Sequence, residues 1–213
     1  MRLIVASQRV DRLEYRAESR DGLDQGWAGF CSAIGMGLVP IPNRLDSLDA
    51  WLVRLQPSAV ILTGGNDVVF PPYTESACPD RDRTEKLLVE WAISERIPVL
   101  AVCHGFQLLN VFFGGRLSRL QGHVRTMHAI EWYPAIGDAP CPLVEVNSYH
   151  AFGIGPDDLA PCLAPLARSH DGSVEAAMHR TSPIIAIMWH PERAPLAQGP
   201  FLDFLRDHLS ATS

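Results

Sequence analysis

The sequence predicts an α/β protein: a doubly wound, mostly parallel sheet with flanking helices and an additional small antiparallel β region. Three observations lead there. Through the first half of the chain, short apolar runs bounded by turn residues alternate with stretches of helical period, the pattern of βα units. In the second half the style changes: residues 128–133, 143–148, 174–180 and 184–189 read as strands with few helices between them. Between the halves, an apolar run at 97–102 passes through Cys103-His104-Gly105 directly into another apolar stretch, a strand turned sharply into a helix.

Each element has its reason. Residues 3–8 start with Leu3-Ile4-Val5-Ala6 and turn polar at Ser7-Gln8, a first strand. A helix over 24–36 carries Trp27, Phe30 and Ile34 at helical spacing. Val39-Pro40-Ile41-Pro42 is a short extended piece, because each proline fixes φ and removes a donor. Residues 46–55 form a second helix, and the strand at 59–63 ends at Gly64-Gly65. Asp82 and Glu85 make a capping box for a helix over 83–95, with Leu87, Leu88 and Trp91 inward. The helix after Cys103 contains Leu108, Leu109, Val111, Phe112 and Phe113 and stops at Gly114-Gly115. Phe201, Phe204, Leu205 and Leu209 mark a closing amphipathic helix. Trp27, Trp51 and Trp91 are assigned to the core. No internal repeat or low-complexity linker interrupts the chain, so residues 1–213 are read as one domain.

Composition excludes several classes. A chain of 213 residues can bury roughly 70% of its unfolded surface. A formal charge of −6 and a pI near 5.7 argue against nucleic acid or an anionic membrane as partner. No apolar run reaches the roughly 18 residues of a membrane span. The first residues become polar too early for a signal peptide. Cys31, Cys78, Cys103, Cys141 and Cys162 form an odd, widely spaced set without Cys-x-x-Cys, which fits a reducing cytoplasm. There is no His-Glu-x-x-His, and His123 with His128 lacks a third ligand in the sequence. Neither a metal site nor a cofactor is expected.

The chemistry concentrates at Val102-Cys103-His104-Gly105-Phe106-Gln107. Strand, nucleophilic side chain, small residue and helix form the layout of a nucleophile elbow with cysteine in the nucleophile's place. The helix N-terminus offers unpaired N–H groups and a positive dipole end to a thiolate. Such a nucleophile needs a base, and the base an orienting group. Trp189-His190-Pro191-Glu192 supplies both: His190 at a strand's end, where side chains face the crevice of an open α/β sheet, and Glu192 two residues on. By itself, His190 would equally close a strand beside a turn proline; the elbow selects it as base. Thr63-Gly64-Gly65-Asn66-Asp67 brings backbone amides close without a Cβ in the way. The Gly65 and His104 N–H groups are the expected oxyanion donors.

The elbow, the Gly-Gly turn and the Trp-His-Pro-Glu segment, in this order, resemble the class I glutamine amidotransferases. Within them the chain is similar to the γ-glutamyl hydrolase branch, through Leu62-Thr63-Gly64-Gly65-Asn66-Asp67, Arg81-Asp82-Arg83-Thr84-Glu85, Val146-Asn147-Ser148-Tyr149-His150, and Ser169-His170-Asp171-Gly172-Ser173-Val174-Glu175-Ala176. The resemblance covers nearly the whole chain. It implies that Cys103 attacks the γ-amide carbon of a glutamyl substrate, that His190 passes the proton to the leaving amine, and that Glu192 orients His190. A γ-glutamyl thioester would form and be hydrolysed. It further implies that Gln107, Asn147, Ser148, Tyr149 and His150 hold the glutamyl end. Two departures stand out: Ala101, where relatives commonly have glycine, and His104, where many hydrolases of the branch carry arginine.

The leaving group is suggested by the N-terminal pattern. Ser7-Gln8-Arg9, Glu14-Tyr15-Arg16 and Arg20-Asp21-Gly22-Leu23-Asp24-Gln25-Gly26-Trp27, with Gly122-His123-Val124-Arg125 and His128, resemble a narrower group. Its members are bacterial hydrolases that cleave N5-(cytidine 5′-diphosphoramidyl)-L-glutamine in surface-polysaccharide phosphoramidate synthesis. Arg9, Arg12, Arg16 and Arg20 follow the first strand's carboxyl end, and guanidinium groups suit a pyrophosphate. The competing reading is a solvated helical stripe, since Asp11, Glu14, Glu18 and Asp21 interleave with the arginines; Arg9 is then the exception that reaches substrate. Trp132 and Tyr149 are candidates to stack on a base, with core packing as the alternative. Two other activities remain open from sequence: hydrolysis of γ-glutamyl-γ-aminobutyrate, and a glutaminase subunit feeding ammonia to a synthetase partner. The expected partner is otherwise a small γ-glutamyl substrate, and oligomeric state is left open, a homodimer included.

Overall fold

Apolar residues on both sides of the early strands dictate a sheet covered on both faces, and the computed structural model of the chain has one. It describes residues 2–71, 74–133, 145–193 and 200–210. In chain order the strands are β1 Arg2–Ala6, β2 Arg9–Leu13, β3 Glu18–Gly22, β4 Met36–Pro40, β5 Ala59–Leu62, β6 Val99–Val102, β7 Ser118–Arg119, β8 Val124–Trp132, β9 Glu145–Tyr149, β10 Phe152–Gly153, β11 Leu163–Ser169, β12 Val174–His179 and β13 Ile184–Ile187. The helices are α1 Gly26–Ala33, α2 Leu48–Leu55, α3 Pro79–Ser94, α4 His104–Phe112 and α5 Pro200–Ser210.

Nine strands form one sheet in the order β4-β1-β5-β6-β13-β12-β11-β8-β9. The pairs from β4 to β13 are parallel, and those from β13 to β9 antiparallel. The antiparallel region therefore extends the main sheet rather than standing apart from it. Strand alternation sorts the core into two layers. Ile4, Ala6, Ile61, Leu100, Val102 and Ile187 pack with Trp27 and Phe30 of α1 and Leu205 and Leu209 of α5. Val5, Val60, Leu62, Ala101 and Ala186 pack with Leu52 of α2, Leu88 and Val89 of α3 and Phe106 and Leu109 of α4. Helices thus cover both faces, and the carboxyl ends of β1, β5, β6 and β13 are left to form a crevice.

Several expectations are corrected. Residues 9–22 form no helical stripe: β2 and β3 pair as a hairpin, with Arg9 opposite Gly22 and Leu13 opposite Glu18. Arg9 bonds Asp11 and Arg20 bonds Glu18, each two residues apart on one strand face, so the charges pair at strand spacing. Helix α3 starts four residues before the expected point, at Pro79, with Cys78 as its N-cap. Proline at the first helical position is the real start signal, and Asp82 and Glu85 are buried helix-interior residues instead of a capping box. Leu87 and Trp51, expected inside, are 45% and 38% exposed. The extended piece near residue 40 is strand β4, and β11 is an additional strand. Residues 143–144 of the expected strand, and Cys141, lie outside the described residues; Cys31, Cys78, Cys103 and Cys162 are free thiols.

Candidate active site

Cys103 sits between β6 and α4 with φ 51° and ψ −103°. A non-glycine residue at positive φ costs on the order of 1–3 kcal/mol and persists only where the surroundings impose it. Here they do. The Cys103 N–H donates to the Ile187 carbonyl at 2.9 Å, and the Cys103 carbonyl accepts from Gln107 N–H at 3.0 Å. Gly105 permits the corner, because a Cβ there would lie 2.6 Å from both the Leu62 carbonyl oxygen and the Leu62 Cβ. Ala101 is fully buried in the core layer beneath, so the departure there is accommodated.

His190 lies just past β13, and its backbone is gripped by a carboxamide. Asn147 Nδ2 donates to the His190 carbonyl at 2.8 Å, and the His190 N–H donates to Asn147 Oδ1 at 2.8 Å. The imidazole Nδ1 lies 2.7 Å from Glu192 Oε1. A carboxylate only accepts, so Nδ1 carries the proton and Nε2 is left for the Cys103 side chain, to which His190 is hydrogen-bonded. Burial works against charge on this ring, but the bonds to Cys103 and Glu192 outweigh it and raise its pKa to about 9. The imidazolium is therefore the resting form at neutral pH, set beside the Cys103 sulfur and backed by a buried carboxylate. Sequence proximity alone lets Glu192 do this, because Pro191–Arg193 form a single 3-10 turn that folds the carboxylate back.

The Thr63–Asn66 turn closes the other side. Gly64 lies against the imidazole: a Cβ on it would stand 2.4 Å from His190 Cε1. Gly65 has φ +139°, and a Cβ there would meet Arg81 and Arg9. His104, the first residue of α4, places its N–H among the free amides of the helix start. Its side chain ties elbow to turn through Nδ1, 2.6 Å from the Asn66 carbonyl. Asn66 in turn exchanges two bonds with the Val10 backbone, at 2.8 and 2.9 Å, and so fixes the hairpin.

A charged network behind this turn was not foreseen from sequence. The Arg81 guanidinium, fully buried, donates to the Thr63 carbonyl at 2.5 Å and to Glu85 Oε1 at 2.9 Å. Ser7 Oγ donates to the same carboxylate at 2.6 Å, and His104 Nε2 stands 3.2 Å from Glu85 Oε2. Burial pushes Glu85 upward, yet Arg81 and His104 overcome it and hold its pKa at about 2. Asp82, held by the Val69 N–H at 2.8 Å, is raised chiefly by burial. The Arg-Asp-Arg-Thr-Glu motif is thus the brace of the Gly-Gly turn.

The expected substrate contacts divide. Arg9 lines a cleft of about 250 Å³ with Asp11, Asp24, Gly64, Gly65 and Arg193. Tyr149 is exposed and packs edge-on to the His190 ring, with the ring centres 5.6 Å apart and the Arg193 guanidinium 4.7 Å from the Tyr149 ring centre. Arg193 was missed by sequence reading, although it adjoins the His-Pro-Glu signal. Gln107 donates to the Phe152 carbonyl at 2.7 Å and borders a narrow cavity beside Asp67 and Phe70. Asn147 differs from expectation, since both ends of its carboxamide hold His190. Ser148 and His150 differ too: the buried Ser148 Oγ donates to the His123 carbonyl, and the buried His150 bonds the Phe152 carbonyl. Arg12 donates to the Glu75 and Ala77 carbonyls, Arg16 lies over Tyr15 and Arg20 pairs with Glu18, so none of the three lines the cleft. Trp132 packs edge-on against Trp189, 6.3 Å away, as a core residue.

Comparison with known proteins places the chain in a family. Residues 33–207 match the family model described as glutamine amidotransferase class-I. A glutamine amidotransferase-like protein of Lactococcus lactis is 36% identical, over 75% of this chain and 75% of that one. The γ-glutamyl-CDP-amidate hydrolase of Campylobacter jejuni is 32% identical, over 83% and 82% respectively. The crystal structure of a glutamine amidotransferase from Thermotoga maritima superposes with a TM-score of 0.64 at 15% identity, covering 98% of this chain and 84% of that one, a likeness of fold. No helix among the described residues is long and apolar enough to cross a membrane. The chain belongs to the class I glutamine amidotransferase family, and with it to the enzymes that break amide C–N bonds.

Proposed function

We propose that the protein hydrolyses a γ-glutamyl amide whose leaving amine carries an anionic phosphoramidyl group, releasing L-glutamate. The carrying observation is Cys103, strained at the elbow and bonded to an imidazolium that Glu192 fixes, beside a cleft with Arg9 and Arg193 on its wall. The Cys103 thiolate attacks the γ-carbonyl carbon, and the Gly65 and His104 amides receive the developing oxyanion. The C–N bond breaks as His190 Nε2 gives its proton to the departing nitrogen, leaving a γ-glutamyl thioester. Water then attacks the thioester, His190 takes the water's proton, and the thiolate leaves; the products are glutamate and the free amine.

The best candidate substrate is N5-(cytidine 5′-diphosphoramidyl)-L-glutamine, placing the reaction in surface-polysaccharide phosphoramidate synthesis in the cytoplasm. The similarity to the Campylobacter jejuni hydrolase favours it. The cleft arginines bear on the same point: Arg9, paired with Asp11, and Arg193, 3.4 Å from Asp24, carry the guanidinium forks that suit a pyrophosphate once turned to it, while a small apolar amine such as γ-aminobutyrate needs neither. The test offers the purified chain the conjugate, γ-glutamyl-γ-aminobutyrate and glutamine, and follows glutamate. Turnover of the conjugate, abolished in Cys103→Ser and with KM raised at least tenfold in Arg193→Ala, is the expected result. Turnover of γ-glutamyl-γ-aminobutyrate alone would retain the chemistry and refute the nucleotide. No turnover of any of the three would favour a subunit that needs a synthetase partner.

A further inference from the structure

On the antiparallel side of the sheet, behind Tyr149, His123, His128, His150 and Glu175 converge. One ligand atom from each lies within 4.8 Å of all the others. They come from distant positions: His123 just before β8, His128 within β8, His150 just after β9 and Glu175 on β12. All four are at most 9% exposed. Their inward atoms make no hydrogen bond: His123 Nδ1, His128 Nε2, His150 Nε2 and both Glu175 carboxylate oxygens are buried without a partner. Each such buried atom left without a partner costs about 1–3 kcal/mol, so a common partner for all of them is strongly favoured.

The separations suit a metal ion. His123 Nδ1 is 3.6 Å and His150 Nε2 3.8 Å from Glu175 Oε1, and His128 Nε2 is 3.6 Å from Oε2. These are too long for hydrogen bonds. They approach the roughly 3.4 Å edge of a tetrahedron around a metal ion with ligands about 2.1 Å away. The outer nitrogens of His123 and His150 are already oriented as such a site needs, while His128 Nδ1 has no partner. His123 Nε2 lies 2.9 Å from Asp171 Oδ2, which leaves Nδ1 as the atom turned inward. His150 Nδ1 lies 3.0 Å from the Phe152 carbonyl, which leaves Nε2 free in the same sense. With the ion bound, the Glu175 carboxylate and the Asp171 carboxylate behind His123 would match the charge of a divalent cation.

From these contacts we infer that the chain binds one zinc ion at His123, His128, His150 and Glu175. Four protein ligands and the depth of burial make it a closed, structural site rather than a second catalytic centre. It clips β8, β9 and β12 together, and β9 carries the Asn147 that holds His190. The ion thus steadies the base from behind without touching substrate. Sequence reading missed it because only strand pairing brings His150 and Glu175 to the two nearby histidines.

The test is metal content and cobalt spectroscopy on the purified full chain. Incubated with zinc and dialysed, the chain is expected to retain one ion, and to lose melting temperature on chelation and regain it with zinc. Cobalt(II) in its place should give the intense visible bands of a four-coordinate nitrogen and oxygen site, unchanged in Cys103→Ser, which excludes binding by the elbow thiol. Glu175→Gln should retain at least tenfold less zinc while keeping its circular dichroism, and Asp171→Asn should weaken affinity by about 10–100-fold. A folded wild-type chain that takes up neither zinc nor cobalt overturns the proposal. So does a cobalt spectrum that survives Glu175→Gln and His128→Ala but disappears in Cys103→Ser.

Discussion

Gly64 offers the sharpest test of how the site is assembled. Its φ lies outside the left-handed region, so alanine suits the backbone. The added Cβ, however, would stand 2.4 Å from His190 Cε1, 3.2 Å from Nδ1 and 3.3 Å from Nε2. Ordinary contact begins near 3.4 Å, so the ring must retreat by about 1 Å, a misplacement that lowers a reaction rate on the order of 10²-fold, or about 2.7 kcal/mol of barrier. The ring has little freedom to adapt, because Glu192 holds Nδ1 at 2.7 Å and Asn147 holds the backbone on both sides. Gly64→Ala should therefore lower kcat about 10²-fold in glutamate release with only a small change in melting temperature. Gly105→Ala is the contrast: its Cβ would press on the Leu62 backbone, and stability should fall with activity. Full activity in Gly64→Ala, with an unchanged melt, would refute the placement of His190 against the turn.

Other consequences are as specific. Glu192→Gln should shift the alkaline limb of kcat/KM to lower pH, because the carboxylate helps hold His190 at about 9. A raised folded-state pKa stabilises the fold fully below pH 6.5, and that contribution is lost as pH rises through 9. Thermal melts across this window should therefore show the wild-type advantage over Glu192→Gln shrinking toward high pH. Asn147→Ala removes two bonds from the His190 backbone and should lower stability by about 1–3 kcal/mol in urea titrations, with a fall in kcat. A rise in KM with stability and kcat unchanged would instead make Asn147 a substrate contact. Arg81→Met strands the buried Glu85 carboxylate and should cost about 3–5 kcal/mol. Arg81→Lys should not restore it, because one ammonium cannot serve Glu85 Oε1 and the Thr63 carbonyl as the guanidinium fork does.

What the sequence revealed follows from where its signals are local. The elbow is a strand, one residue and a helix in unbroken succession, so Cys103 and its turn are legible from periodicity and Gly105. Glu192 is within two residues of His190 and needs only one turn to reach it. The buried strands β1, β5, β6 and β13 are legible because both their faces are apolar. The hairpin of β2 and β3 is not, because its charged residues pair along each strand and leave no apolar face to mark the period of two. Helix α3 misled through Asp82 and Glu85, whose spacing imitates a capping box while their carboxylates point into a buried network with Arg81 and His104. Strand β9 and the residue after it show the same limit: Asn147, Ser148 and His150 are polar, and the bonds they make here are internal. Polar residue type signals a partner, and only the fold decides whether that partner is ligand or protein.

The central claim is that Cys103 carries the γ-glutamyl group. The most direct measurement is acid quenching of the enzyme during turnover of the cytidine diphosphoramidyl glutamine conjugate, followed by peptide mass mapping. The account predicts a glutamyl group, labile to hydroxylamine, on the peptide containing Cys103 and absent from Cys103→Ala, which should release no glutamate. Undiminished glutamate release by Cys103→Ala would contradict it.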